Sequence, residues 1–187
     1  MGIFRGGRGA RRLDQVARRP ALRQLQRAHA EMQAGNWPAA AADFALLAAM
    51  AEPQRPVVAS QLWIECGRAC LHDNHITEAE AAFERGLSQL VKVNRFARLA
   101  ALGRRAVAEL QSTGQPVAAA AIQAKLESWL EGYPVQAPPY PGPRPPSGGC
   151  LPAKCPQCGG TVIPDEVEAL EDGRAQCAYC GSILERS

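Results

Sequence analysis

Cys155-Pro-Gln-Cys158-Gly-Gly and, eighteen residues further on, Cys177-Ala-Tyr-Cys180-Gly-Ser constrain this chain more than any other feature. Each Cys-x-x-Cys pair can present two sulfurs to one ion. The spacer is long enough to fold back and bring the second pair to the first, the spacing of a four-thiolate zinc site. Gly159 and Gly181 follow the second cysteine of each pair, where a chain wrapping a metal needs a positive φ. The predicted ligands are therefore Cys155, Cys158, Cys177 and Cys180, holding one Zn2+. Four sulfurs close the shell and leave no position for water, so the expected role is structural rather than hydrolytic. Iron is the competing metal, but iron sites of this ligand type are wrapped in aromatics, and Tyr179 is the only aromatic here.

Three other cysteines lie outside the pairs. Cys150 stands five residues before Cys155 and reads as a free thiol once the shell is complete. Cys66 and Cys70, with His72 and His75 close by, form a second conceivable metal group. The alternative is that both cysteines pack in a core as small hydrophobes.

Upstream, the pattern is helical from residue 20 to residue 132. Leu22, Leu25, Ala28 and Met32 recur at helical spacing. Pro20 suits a helix start, and Gly35-Asn36 breaks the run. Further helices are predicted from Trp37 to Met50 with Phe44 and Leu47 inward, from Val57 to His72, from Thr77 to Leu90, from Asn94 to Gln111, and from Pro116 to Glu131. Thr77 and Glu80 have the spacing of a capping box. Alanine-rich, aromatic-poor composition favours such closely packed helices over a β-sandwich.

Breaks at Gly35, Asn74 and Gly114 recur about 39 residues apart. After them come Trp37-x-x-Ala40-x-x-x-Phe44, Ile76-x-x-Ala79-x-x-x-Phe83 and a weaker Pro116-x-x-Ala119. The middle unit, with Trp63, Cys66, Gly67 and Cys70 before Ile76, Ala79, Phe83 and Gly86, resembles the tetratricopeptide repeat. In that arrangement Gly67 and Ala79 let paired helices approach while Trp63 and Phe83 fill the space around them. The period exceeds the usual 34 or so. Gln24 and Arg27 stand where the pattern wants bulky residues, and Gln123 where it wants an aromatic.

Residues 133–149 carry seven prolines and read as an extended linker, with a docking peptide for a proline-reading domain as the rival reading. Beyond it, Thr161-Val-Ile163 suits a short strand, and residues 166–170 can pair with 174–176 across an Asp-Gly turn. The Cys-Pro-x-Cys-Gly and Cys-x-Tyr-Cys-Gly boxes with this hairpin resemble the zinc ribbon family over residues 155–181. So small a module has little core, and metal binding is expected to supply most of its folding free energy. The fold expected overall is mainly α, a tetratricopeptide-like array of helical hairpins, with a small C-terminal β zinc ribbon at 150–187.

Charge is uneven. Residues 1–30 hold eight arginines against Asp14, whereas 150–187 hold three basic and six acidic side chains. Residues 1–19 read as a flexible Gly/Arg-rich arm, either a solvated tail or a contact for nucleic acid or an anionic membrane surface. No apolar run approaches a membrane span, no signal peptide is evident, and the cysteine usage fits a reducing, cytoplasmic setting; a bacterial source is expected. No Gly-x-Ser-x-Gly, phosphate-binding loop or His-Glu-x-x-His is present. No catalytic residue and no small-molecule substrate is therefore indicated. The function expected is a non-enzymatic adaptor that meets a protein partner through its helical repeats. The alternative is a nucleic-acid-binding protein using the ribbon and the arginine arm.

Overall fold

A computed structural model describes residues 9–133, 150–164, 167–170 and 174–185. The expected arm lies outside them up to residue 8, as does the proline-rich linker from residue 134. Six helices follow one another: α1 (Gly9–Ala34), α2 (Trp37–Ala51), α3 (Pro56–His72), α4 (Ile76–Lys92), α5 (Phe96–Ser112) and α6 (Pro116–Leu130). None is long and apolar enough to cross a membrane. The helix limits fall within a few residues of those expected, except at α1. That helix begins at Gly9, so Pro20 lies inside it rather than at its start.

Four of the five turns between helices have the same construction. Gly35, Asn74, Asn94 and Gly114 each adopt a positive φ, between 55° and 77°. The next residue's N–H reaches back five positions: Asn36 to Glu31, His75 to Cys70, Arg95 to Leu90 and Gln115 to Leu110, at 2.8–2.9 Å. This is the Schellman closure, which satisfies carbonyls that the helix end would otherwise leave free. The following helix then starts one residue later. That geometry displaces the capping box expected at Thr77: His75 occupies the N-cap position without a side-chain capping bond, and Thr77 is already helical. The α2–α3 connection differs. There Pro53 and Pro56 interrupt the ladder, and the Arg55 N–H closes onto the Ala51 carbonyl at 2.7 Å.

Packing centres on α3, which lies against both α2 and α4 and is buried over most of its circumference, Ser60, Gln61 and Glu65 included. A helix buried on nearly all sides belongs in a core. One apolar cluster joins Leu62, Trp63 and Cys66 to Leu25, Ala28, Phe44 and Leu47 of α1 and α2. A second joins Ile64 and Leu71 to Phe83, Leu87, Leu99, Leu110 and Ile122. Gly67 permits the α3–α4 approach, since a Cβ there would stand 2.7 Å from the Phe83 ring. Trp63 donates from Nε1 to Glu52 at 2.7 Å and lies under the Arg85 guanidinium, 4.3 Å from its ring centre.

The misfits to the repeat pattern in α1 have a physical reason. Gln24 Nε2 and Arg27 Nε donate to the buried Asp43 carboxylate at 3.1 and 2.7 Å. They serve a charge on α2 instead of filling a core.

After residue 150 the chain forms a three-stranded antiparallel sheet in the order β1-β2-β3, from Glu168–Ala169, Ala175–Gln176 and Ile183–Leu184. The expected hairpin is present, with Ala169 opposite Ala175 and Leu170 bonded to the Arg174 carbonyl. Its third strand, β3, was not expected. Thr161 forms a single bridge to Lys154 rather than a strand.

Candidate metal centre

Each cysteine pair sits on a tight knuckle, and the two knuckles are built alike. In the first, the Cys155 N–H donates to Gly160 and the Gly159 N–H donates back to Cys155, both at 2.8 Å. In the second, Cys177 donates to Ser182 at 2.8 Å and Gly181 to Cys177 at 3.0 Å. Gly159 and Gly181 have φ of 76° and 73°, as their place in the sequence requires. These turns aim both cysteines of a pair at the same point.

The four sulfurs meet there, all within 4.8 Å of one another. Cys155 and Cys180 stand 3.7 Å apart, and Cys158 and Cys177 stand 3.8 Å apart. Thiolates about 2.3 Å from a tetrahedral ion are about 3.8 Å from each other. A disulfide needs about 2.05 Å, and none of the four is in one. The spacing therefore suits a shared cation. Cys155, Cys158 and Cys177 are buried and Cys180 nearly so.

Without a cation the thiols must share protons. Hydrogen bonds from Cys158 and Cys177 pull the Cys180 thiol far below its ordinary value, helped by Ser182. Hydrogen bonds with Cys177 first and Cys180 second, together with burial, push Cys158 well up. Cys177 is drawn down by its bond to Cys158 but ends at about 12 through its bond to Cys180 and through burial. A divalent ion bound by such thiols releases their protons as it binds. Ser182 Oγ stands 3.2 Å from Cys155 Sγ and 3.1 Å from Cys180 Sγ, where its hydroxyl can donate to either sulfur. Sequence spacing marked the four cysteines but not this serine.

The cysteine-bearing module lies against α1, α2 and α3, and its cysteines, Ala175, Tyr179 and Leu184 share one apolar cluster with those helices. Tyr179, between the two cysteines of the second knuckle, makes the deepest contact. Its hydroxyl donates to Glu65 of α3 at 2.9 Å, and Glu65 is only 3% exposed. The Tyr179 ring meets His29 of α1 edge-on at 4.8 Å, and His29 meets Phe44 at 5.2 Å. Burial pushes the His29 imidazole below its ordinary value. Glu65 also pairs with Arg68 at 2.7 Å, and Arg68 reaches Glu109 of α5 at 2.8 Å. Burial raises the Glu109 carboxyl. At the rim, Gln26 donates to the Gln157 carbonyl at 2.6 Å and Lys154 to Gln33 at 2.9 Å.

The remaining candidates do not join the centre. Cys150 is exposed. Cys66 is buried in the α1–α3 cluster, with Cys70 packed beside it. A hydrogen bond between the two holds Cys70 down, to about 7, and Cys66 up. His72 stacks on Trp37 at 4.5 Å, and His75 Nδ1 pairs with Asp73 at 2.9 Å. Among the described residues, the four ribbon cysteines are the one group of three or more ligating side chains close enough to hold a metal ion. The chain matches no protein-family model, no curated protein and no solved structure.

Proposed function

We propose that this chain is a non-enzymatic, zinc-binding interaction scaffold. Cys155, Cys158, Cys177 and Cys180 hold one structural Zn2+ that folds a zinc ribbon. The six helices form a tetratricopeptide-like platform, a reading supported by helix starts at Trp37, Ile76 and Pro116 after turns of one design. Zinc is preferred to iron because Tyr179 is the one aromatic in residues 150–187, too few to wrap an iron centre from within the module.

The observation that carries the reading is the Tyr179–Glu65 bond. It ties the metal knuckle to the buried middle of α3, so metal occupancy and the shape of the helical platform are linked. An ion in a closed four-sulfur shell supplies folding free energy and no reactive position. The link to a partner follows from linking two weak surfaces on one chain, which raises the effective concentration of the second.

The test is metal content and partner capture measured on the same preparation. Full-length protein is expected to hold one zinc per chain. Cys158→Ser is expected to lose it while keeping most of its helical circular dichroism, because α3–α6 share a cluster that includes no ligand cysteine. A wild-type chain without zinc, or one holding iron, would overturn the reading. Salt-sensitive capture of nucleic acid in place of protein would overturn the partner class.

A further inference from the structure

Where the ribbon meets α1–α3, a groove of about 570 Å³ remains open. Leu22, Leu25, Leu47, Val58 and Leu62 line its helical side, and the stretch from Cys180 to Ile183 lines the other. Met50 and Ile183 also line it and are 62% and 43% exposed, large apolar side chains left in water. Arg19 and Arg55 complete the lining, which includes no carboxylate. Arg55 lies against the ribbon, its Nη2 2.7 Å from where a Cβ on Gly181 would be. Arg27, Arg68 and Arg85 all have carboxylate partners. Arg19 and Arg55 have none among the described residues. Ile183 belongs to β3, an edge strand whose outer side pairs with no other strand among the described residues.

We propose that this groove binds an extended peptide of a partner protein in which apolar side chains alternate with carboxylates. The apolar lining takes one side of such a strand, and a flexible methionine adapts to its shape. The two unpaired guanidiniums take the acidic side chains, for which a planar fork is well suited. Edge strand β3 offers main-chain groups for strand addition, so affinity comes from the backbone and selectivity from the side chains. The volume lies within the range of about 300 to 1,000 Å³ usual for ligand sites. Single-stranded nucleic acid fits poorly, because it needs exposed aromatics for stacking and Tyr179, the one aromatic in the lining, is buried.

The proposal rests on the zinc reading for its ribbon wall, since half of the groove exists only while the ribbon is docked. The experiment pans a display library of random twelve-residue peptides on the zinc-loaded full chain. Zinc is measured on every sample. Selected peptides are then titrated against wild type, Arg55→Glu and Met50→Lys, neither of which replaces a sulfur ligand. The expected result is enrichment of peptides alternating Val, Ile, Leu or Phe with Asp or Glu, weakened at least tenfold by each variant while zinc content and thermal midpoint hold. Chelation should abolish capture. Zinc-loaded chain that selects no such peptide, or selects peptides bound equally well by both variants, overturns the groove and leaves the zinc reading standing. Binding of dodecanoate without peptide enrichment, or a dimer of this chain abolished by Met50→Lys, also overturns it. A chain that carries no zinc sinks the zinc reading instead.

Discussion

Two hydroxyl groups separate retention of the proposed ion from docking of the module that would carry it. Ser182 bonds to ligand sulfurs, so Ser182→Ala should weaken zinc retention about tenfold in chelator competition, the usual effect of losing an outer-shell partner. Tyr179→Phe removes a bond to a buried carboxylate, a change that costs about 1.5 to 3 kcal/mol. Zinc stoichiometry should stay at one, and the loss should appear in the denaturant midpoint. A Tyr179→Phe protein as stable as wild type would mean that Arg68 and Arg105 satisfy Glu65 without it. Asp43 tests the α1–α2 contact. Hydrogen bonds from Arg27, with a smaller share from Gln24, hold its carboxyl below the ordinary value against the opposing effect of burial. Its stabilisation is therefore complete above the ordinary carboxylate range near pH 4 and is lost as pH falls through the depressed value. The stability gap between wild type and Asp43→Asn should be widest near neutral pH and close in acid, read by denaturation at each pH.

At the level of elements, the helix breaks were the most legible part of the sequence. Gly35 and Gly114 announce left-handed turns because glycine takes them without strain, and Asn74 could be placed with them by its spacing. Asn94 makes the same turn but was read as a helix start, since asparagine is equally at home before a helix. Thr77 misled for a related reason. Its capping-box spacing is genuine, but the left-handed turn at Asn74 puts the helix start two residues earlier. Gly67 was legible as a close-approach site. A methyl there must displace Phe83 from a position where neighbours fill the space, so Gly67→Ala should destabilise by about 1 to 3 kcal/mol in chemical denaturation.

For the whole molecule, the four cysteines were readable because metal ligation imposes spacing on the chain itself. The docking of the ribbon was not, because it has no local signature. Tyr179 and Glu65 are 114 residues apart, and Gln26 and Gln157 are 131 apart. Neither pair belongs to a periodic pattern. A buried glutamate on α3 looks in sequence like any helical surface charge, and a tyrosine inside a cysteine pair looks like ribbon filler. Beta strand β3 was missed because two residues beyond a knuckle carry no alternation to detect. The Gly/Arg-rich composition of residues 1–19 suggested a separate arm, yet from Gly9 onward that stretch is part of the helix whose later turns the C-terminal module covers.

That same pairing orders events in time. The apolar side of α1–α3 emerges from a ribosome well over a hundred codons before Tyr179 does, at a synthesis rate of about 5 to 20 residues per second. For several seconds the first hairpins exist without their cover, and afterwards the cover waits on an ion. On the proposed zinc reading, a cell short of that metal would accumulate chains that are mostly helical yet unfinished, with Leu25 and Leu62 open to chaperones and proteases.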